Sequence, residues 1–519
     1  MLLFDLVETS RLITSTSKRL EKIKLLADCL RRLAGDEIEI GVGYLSGEIR
    51  QQKLGVGYAT VLASRPERET TTPEVTLTEV DRTLAAVAGV SGKGSIERRK
   101  QLLGDLLARM SAQEQSYVRR LLLGELRQGA LAGLMIDALA RAAQVATADV
   151  RRAAMLAGGI APIATSAMTE GQAGLQRYTL RLFHAVTPML AQPAQDMAEA
   201  MRQLGTAALE WKLDGARIQV HKHNDEVRIY SRGMNDVSVA VPEIVEAVRA
   251  LDADALILDG EAIALREDAR PHPFQITMRR FGRRLDVSAM RETLPLSAFF
   301  FDCLRLRDSD LIDRPYLERL AALAQIIPDA MRIPGLITDD VDAAQLFFDQ
   351  ALQRGHEGVM AKSPHSLYEA GNRGSSWLKI KSAHTLDLVI LAAEWGSGRR
   401  RGWLSNLHLG ARDPVAGTFI MLGKTFKGLT DAMLEWQTQK LLELETSRDA
   451  IIVYVRPEVV VEIAVNEIQN SAQYPGGLAL RFARVKAYRT DKRPDEADTI
   501  DSVRALFTHH TGAPNGEPT

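Results

Sequence analysis

Residues 210–217 read EWKLDGAR: Lys212 stands two positions ahead of the pair Asp214-Gly215, with a hydrophobic stretch before the segment and IQVHKH after it. A turn closed by Asp-Gly, a pair that turns favour, would make the lysine a surface residue. The same spacing would also suit a nucleophile. Ordinary residue frequencies produce K-x-D-G by chance in roughly one chain of this length in ten, so the segments on either side have to decide.

The chain has 519 residues, enough for about three domains, and its 46% hydrophobic and 25% charged content is that of a well-packed globular protein. A net charge of −1 means that binding to a polyanion would need basic residues gathered on one surface. The densest gatherings are MRRFGRR (278–284) and GSGRRRGW (396–403); the alternative for either is an ordinary solvated face. The two cysteines, Cys29 and Cys303, are far apart in apolar contexts, which argues for a reducing compartment and against a disulfide framework or a four-cysteine zinc site. MLLFDLVETSRL has acidic residues where a signal peptide needs a basic and then an apolar run, and no uncharged apolar stretch of about 18 residues follows. A cytoplasmic protein without membrane contact is expected.

Three regions follow from the periodicity. TSKRLEKIKLLADCLRRLA and SIERRKQLLGDLLARMSAQEQSYVRRLLLGEL space their leucines, isoleucines and valines by three and four, predicting a helical bundle over 1–183. Gly124, Gly129 and Gly133 read as helix ends or points of close backbone approach. HAVTPMLAQPA (184–194), with two prolines, reads as a linker opening a second region over 184–382. There, β-rich runs such as ARIQVHK, ALILDGEAIAL, SAFFFDCL and GVMAK alternate with helical VPEIVEAVRAL and DAAQLFFDQALQRG, giving mixed, largely antiparallel sheets with helices. Over 383–508, strands between Gly-rich turns and one helix near DAMLEWQTQKLLEL fit a small Greek-key barrel. Residues 509–519 read as a disordered tail carrying an incidental His509-His510 pair.

KLDGAR, SRG, LDGE, FFFD, EGVMAK, WLKIK and RFARVKAYRTDK occur in that order between Lys212 and Lys492. This ordered set resembles the nucleotidyltransferase motifs of ATP-dependent DNA ligases. The helical region in front resembles the DNA-binding domain of their bacterial, archaeal and eukaryotic replicative type, so the resemblance covers nearly the whole chain. It implies a multi-domain α + α/β + β fold: an N-terminal helical bundle, a nucleotidyltransferase (adenylation) domain of mixed antiparallel sheets and helices, and a C-terminal OB-fold barrel. Capping enzymes, a rival within the same superfamily, lack a long helical domain before the nucleophile and use GTP. NAD-dependent ligases need a zinc module of four cysteines. A non-catalytic nucleic-acid-binding protein is opposed by the presence of every charged group the chemistry needs.

The resemblance makes Lys212 the nucleophile that carries AMP. A lysine amine attacks phosphorus only when neutral, and shedding its proton near pH 7 costs roughly 4 kcal/mol from a free pKa of about 10.4. Lys212 is therefore expected among cationic neighbours, Arg217 and Mg²⁺. Glu261 and Glu357, hard oxygen ligands on different strands, suit Mg²⁺, and by resemblance Glu261 also lies near the ribose. Three consecutive phenylalanines exceed what one face of an alternating strand buries. Phe301, at the family position before the aspartate, is the one expected to stack on adenine, with Phe299 in the core. Glu210 stands where the adenine amino group is read, favouring ATP over GTP. Arg232, Arg373 and Lys379 correspond to residues holding the 5′-phosphate, ribose or α-phosphate, and Lys362 and Lys381 face the same pocket. RFARVKAYRTDK departs from the commonest family form at Ala483, usually proline, and Thr490, often glutamate. Arg489, Asp491 and Lys492 are carried over from it as residues that orient pyrophosphate. The expected enzyme seals nicks in double-stranded DNA in three transfers through a lysyl-AMP, as a monomer encircling its substrate.

Overall fold

The structure, a computed structural model, describes residues 1–519 except 52–53, 65–69, 71, 127–131, 282–286, 370–375, 382–383 and 512–519. Ten helices among the described residues, from Leu3–Ser15 to Ala161–Gln176, build the N-terminal region. Their apolar residues recur at helical spacing, and Leu26, Tyr44, Leu84, Tyr117, Leu139 and Ile163 meet in one core. Two helices start on capping boxes, Thr76 with Glu79 and Ser111 with Glu114, each worth about 1 kcal/mol. Gly124, at φ 67°, follows the helix Ala112–Leu122, while Gly133 lies within Ala132–Ala143 and Gly129 is outside the described residues.

Two sheets make up the central region. The first runs, in spatial order, Gln192–Pro193, Trp377–Lys381, Gly358–Lys362, Ala207–Lys212 and Gly335–Thr338, antiparallel except for its first pair. The second is antiparallel throughout: Glu226–Ser231, Ala216–His223, Ala255–Ala264, Leu296–Leu306 and Ser309–Asp310. The chain crosses from one sheet to the other through Leu213-Asp214-Gly215. Lys212 therefore ends a strand of the first sheet, and Arg217 lies near the start of a strand of the second. The crossing needs glycine, because a Cβ on Gly215 would sit 2.4 Å from the Ala262 carbonyl oxygen.

The stretch expected to be a linker is bound tightly instead. Arg217, Gln219 and His221 alternate along Ala216–His223 and so share one face of the strand. That face grips the backbone of 183–189: the Phe183 N–H donates to His221 Nδ1 at 2.9 Å, the Val186 N–H to Gln219 Oε1 at 2.8 Å, and Arg217 Nη1 to the Met189 carbonyl at 2.6 Å. The Thr187 N–H reaches the Met155 carbonyl at 3.0 Å, and Met155 and Leu156 join Leu304, Ile312, Tyr368 and Trp377 in one apolar cluster. The helical and central regions thus share a core.

In the C-terminal region His384–Trp395 pairs with Leu404–Asp413, Ile452–Val455 and Val460–Val465, the centre of a seven-stranded curved sheet. The helix Asp431–Glu443 packs on it, close to where it is expected. A hairpin, Glu467–Asn470 with Leu478–Arg481, meets the central region, where Gln275 Nε2 donates to Gln469 Oε1 at 3.0 Å. The last helix, Ile500–Thr511, runs through His509 and His510, so the expected tail is helical at its start, while 512–519 lie outside the described residues. Among the described residues no helix is long and apolar enough to cross a membrane.

Candidate active site

The two sheets and the hairpin enclose a cavity of about 510 Å³ around Lys212, within the range of small-ligand sites. Glu210, Arg217, Arg232, Glu261 and Phe301 line it, as do Glu357, Lys362, Lys379 and Lys381, so nine side chains expected around Lys212 from separate motifs converge on it. Arg373 lies outside the described residues.

The electrostatics at Lys212 differ from expectation. Its ammonium is ion-paired with Glu357, which also holds Lys381 Nζ at 2.7 Å. Burial alone would lower the Lys212 pKa, but the nearby carboxylates of Glu357, Glu261 and Asp214 raise it above that of a free lysine. Arg217 brings little net positive charge, because its guanidinium forms a bidentate pair with Asp259 at 3.0 and 2.6 Å. Lys212 in this state is an ammonium among anions rather than a free amine among cations. Burial pushes the Glu261 carboxyl up to about 7 and raises that of Asp214 as well.

Glu210 and Lys362 form a buried pair at 2.5 Å, and Tyr316 donates its hydroxyl to the other Glu210 oxygen. Burial pushes the carboxyl up and the ammonium down, while their mutual attraction opposes both shifts. Lys362 Nζ also lies 4.5, 4.6 and 4.3 Å from the ring centres of Phe301, Tyr316 and Trp377, an aromatic cage that compensates for lost hydration.

Among the phenylalanines, Phe300 is the core residue, fully buried, whereas Phe299 and Phe301 share the opposite, half-buried face. The expectation for Phe299 is therefore corrected: along this part of the strand Leu296, Ala298 and Phe300 turn towards the core formed with the helices behind it. Phe301 lines the cavity, edge-on to Trp377. Asp302 in the same motif is fully buried against Arg319 at 2.7 Å.

Arg489, Asp491 and Lys492 do not reach the cavity. Arg489 and Lys492 pair with Asp387 within the C-terminal region at 2.9 and 2.5 Å, and Asp491 pairs with Arg489 at 2.7 Å. The barrel instead presents Arg481 and Phe482, which open the same motif but were not singled out. Phe482 has φ 58°, is 51% exposed, and has Arg481 5.1 Å and Lys427 5.2 Å from its ring centre. The basic runs divide similarly. Arg280 is fully buried against Glu243 and is structural, Arg283 and Arg284 lie outside the described residues, and Arg399 pairs with Asp431 on the surface.

A strand-end lysine between two antiparallel sheets, with an arginine, carboxylates and a caged lysine around it and a barrel at its mouth, defines a lysine-centred nucleotidyltransferase. Comparison with known proteins identifies which kind. The family model for the ATP dependent DNA ligase domain matches residues 188–381, that for the ATP dependent DNA ligase C terminal region matches 400–492, and that for the DNA ligase N terminus matches 50–140. A probable DNA ligase of Anaeromyxobacter sp. (strain Fw109-5) is 58% identical over 99% of this chain and 100% of its own. One of Sorangium cellulosum is 53% identical over 100% of this chain and 97% of its own. A solved structure described as Pmar-Lig_PreS3 has the same fold, with a TM-score of 0.60 at 19% identity over 93% of this chain and 99% of that one. The chain belongs to the ATP-dependent DNA ligase family.

Proposed function

We propose that the protein seals nicks in double-stranded DNA, with Lys212 Nζ as the nucleophile that takes AMP from ATP. The observation that carries this reading is the convergence on Lys212, in one cavity, of charged groups from both sheets. The nitrogen attacks the α-phosphorus, an N–P bond forms, and the bond from phosphorus to the bridging oxygen breaks to release pyrophosphate. AMP then passes to a 5′-phosphate at the nick, and the neighbouring 3′-hydroxyl displaces it. Each transfer is in line and depends on positioning and charge neutralisation.

Before the first transfer Lys212 Nζ has to lose a proton. Glu357 stabilises that proton and has Lys381 as an alternative partner, so Glu357 drawn towards Lys381 lowers the Lys212 pKa, and the proton then passes to solvent, leaving the neutral amine. The residues fit a divalent cation: Glu261 is a carboxyl that burial drives up to about 7 despite the nearby Lys212 and Arg217, a group that a cation would return to its charged form, and Glu357 lines the same cavity. Among the described residues no three acidic, histidine or cysteine side chains are gathered for a metal, which suits an ion completed by phosphate and water. Glu261 and Glu357 would hold Mg²⁺, whose charge would screen the phosphate oxygens and offset the carboxylates around Lys212.

Phe301 stacks on adenine, and Glu210, braced by Lys362 and Tyr316, accepts from its amino group. Arg217, Arg232, Arg373, Lys379 and Lys381 hold ribose and phosphate. Arg489, Asp491 and Lys492 orient pyrophosphate only after the barrel has turned, because Asp387 holds two of them here. The helical region and the barrel grip the duplex backbone of a monomeric, cytoplasmic enzyme, so affinity falls steeply with salt.

The test follows the label. Protein mixed with radiolabelled ATP and magnesium and then with nicked DNA should carry AMP on Lys212, pass it to the DNA and release it on sealing. Lys212→Ala should do none of this while still binding nicked DNA. Adenylation that persists in Lys212→Ala, or labelling by GTP alone, would refute the reading.

A further inference from the structure

Arg217 is held by more than its carboxylate. Four of its N–H groups are engaged: two on Asp259, one on the Met189 carbonyl at 2.6 Å, and one directed at the Tyr368 hydroxyl at 3.4 Å. That hydroxyl is the hub of the arrangement. It donates to Asp259 Oδ2 at 2.7 Å and accepts the Met189 N–H at 3.1 Å, and with Arg217 this uses the one donor and two lone pairs a phenol has. Tyr368 is 2% exposed, its ring edge-on to Trp377 at 6.0 Å.

We propose that Tyr368 is a positioning residue of the nucleotide site, its hydroxyl fixing the Arg217 guanidinium on the cavity wall by bridging Asp259 to the backbone of Met189. The geometry explains why two anchors are needed. Arg217 approaches from the second sheet, and Asp259 alone would leave the guanidinium free to swing about its carboxylate axis. The Met189 carbonyl fixes the remaining direction, and Tyr368 fixes Met189. Met189 itself lines the cavity, so the strip that binds the helical region to the second sheet is also a wall of the nucleotide site. Tyr368 touches Arg217 and its partners and acts on the nucleotide through them.

The inference rests on the reading that Arg217 meets the nucleotide, and the test separates the two. Initial rates of lysyl-AMP formation against ATP concentration are compared for the full-length protein, Tyr368→Phe, Arg217→Lys and the double variant. Tyr368→Phe should raise the KM for ATP about tenfold, the worth of one charge-assisted hydrogen bond, with the maximal rate within about threefold. Arg217→Lys keeps a charge beside Asp259 but loses the fork and should raise KM as well. In that background Tyr368→Phe should add less than about twofold. If Arg217→Lys raises KM and Tyr368→Phe does not, the inference falls and the reading of Arg217 stands. If neither does, both fall. A lower maximal rate at unchanged KM would reduce Tyr368 to a packing role and overturn the inference. Should Tyr368→Phe fail to fold, Asp259→Asn must show the same rise in KM.

Discussion

Lys212 and Glu357 are joined twice: the Glu357 amide donates to the Lys212 carbonyl at 3.1 Å, and their side chains form an ion pair in the cavity. The backbone contact sets the two residues side by side, so the ion pair is built into the pairing of the strand that Lys212 ends with the strand that Glu357 immediately precedes.

Glu357→Gln should therefore release Lys212 from its raised pKa. The sign follows from the cause: Glu357 is the strongest of the raising influences, so without it burial lowers the pKa and the neutral amine appears at lower pH. In protein free of nucleotide and magnesium, the pH midpoint for Lys212 reacting with an amine-directed acylating reagent should fall by about one unit or more. Peptide mass spectrometry across a pH series measures it, and an unmoved midpoint would mean that Glu357 does not control the proton.

Much of the site was legible because its groups sit in short segments whose order along the chain is characteristic. Lys212, Glu261 and Glu357 need only their own short segments to be recognised, and the sheets bring those segments together. What was missed depends on packing between segments. Alternation shows that consecutive phenylalanines face opposite ways, but which face meets the helices is decided elsewhere in the fold, hence Phe300 rather than Phe299 in the core. The position of Arg489 and Lys492 depends on how the barrel is turned, which no local pattern encodes. The role of 183–189 did leave a trace: in ARIQVHKH, Arg217, Gln219 and His221 put polar groups on one face of a strand, and that face needs partners.

The buried histidines give the protein an acid limit. Burial holds His221 down to about 3 and His356 down to about 4, so both are neutral when folded. Groups with a depressed histidine pKa stabilise fully above the unfolded value near 6.5, and that stability is lost as pH falls towards the folded value. Glu261, pushed up to about 7, works in the opposite sense and gains stability as pH falls, so the histidine effect is best read as a difference. His221→Asn should be more destabilising at pH 7.5 than at pH 5 by about 2 kcal/mol, because only the parent loses the histidine contribution. Urea unfolding at the two pH values measures this, and an equal penalty at both would contradict it.

Asp302 is expected to act through folding. Arg319 and Asp302 are both fully buried, and Arg319 also donates to the Arg314 carbonyl at 2.6 Å and the Ser366 carbonyl at 3.0 Å. Arg319→Met leaves a buried carboxylate without its partner and should cost about 3–5 kcal/mol. Arg399→Ala, which removes a surface pair with Asp431, should cost less than about 0.5 kcal/mol. Denaturant midpoints compare the two, and similar small losses would show that the buried pair is dispensable.

The shared core of the helical and central regions makes the point of truncation decisive. A chain starting at Phe183 keeps the strip that Arg217, Gln219 and His221 hold, losing Met155, Leu156 and Leu180 from the common cluster and the Arg152–Asp313 bridge. It should melt at a lower temperature yet form lysyl-AMP within about tenfold of the full chain, while its affinity for nicked DNA at moderate salt falls by about a hundredfold or more with the lost backbone contacts. A chain starting at Ala191 also loses Met189, which anchors Arg217 through its carbonyl and Tyr368 through its amide. Lysyl-AMP formation should then drop by more than about a hundredfold, because a buried guanidinium and a buried phenol both lose partners in the wall of the cavity. Radiolabelled adenylation of the two truncated proteins side by side decides the matter: equal labelling would mean that the strip merely connects two regions and takes no part in the nucleotide site.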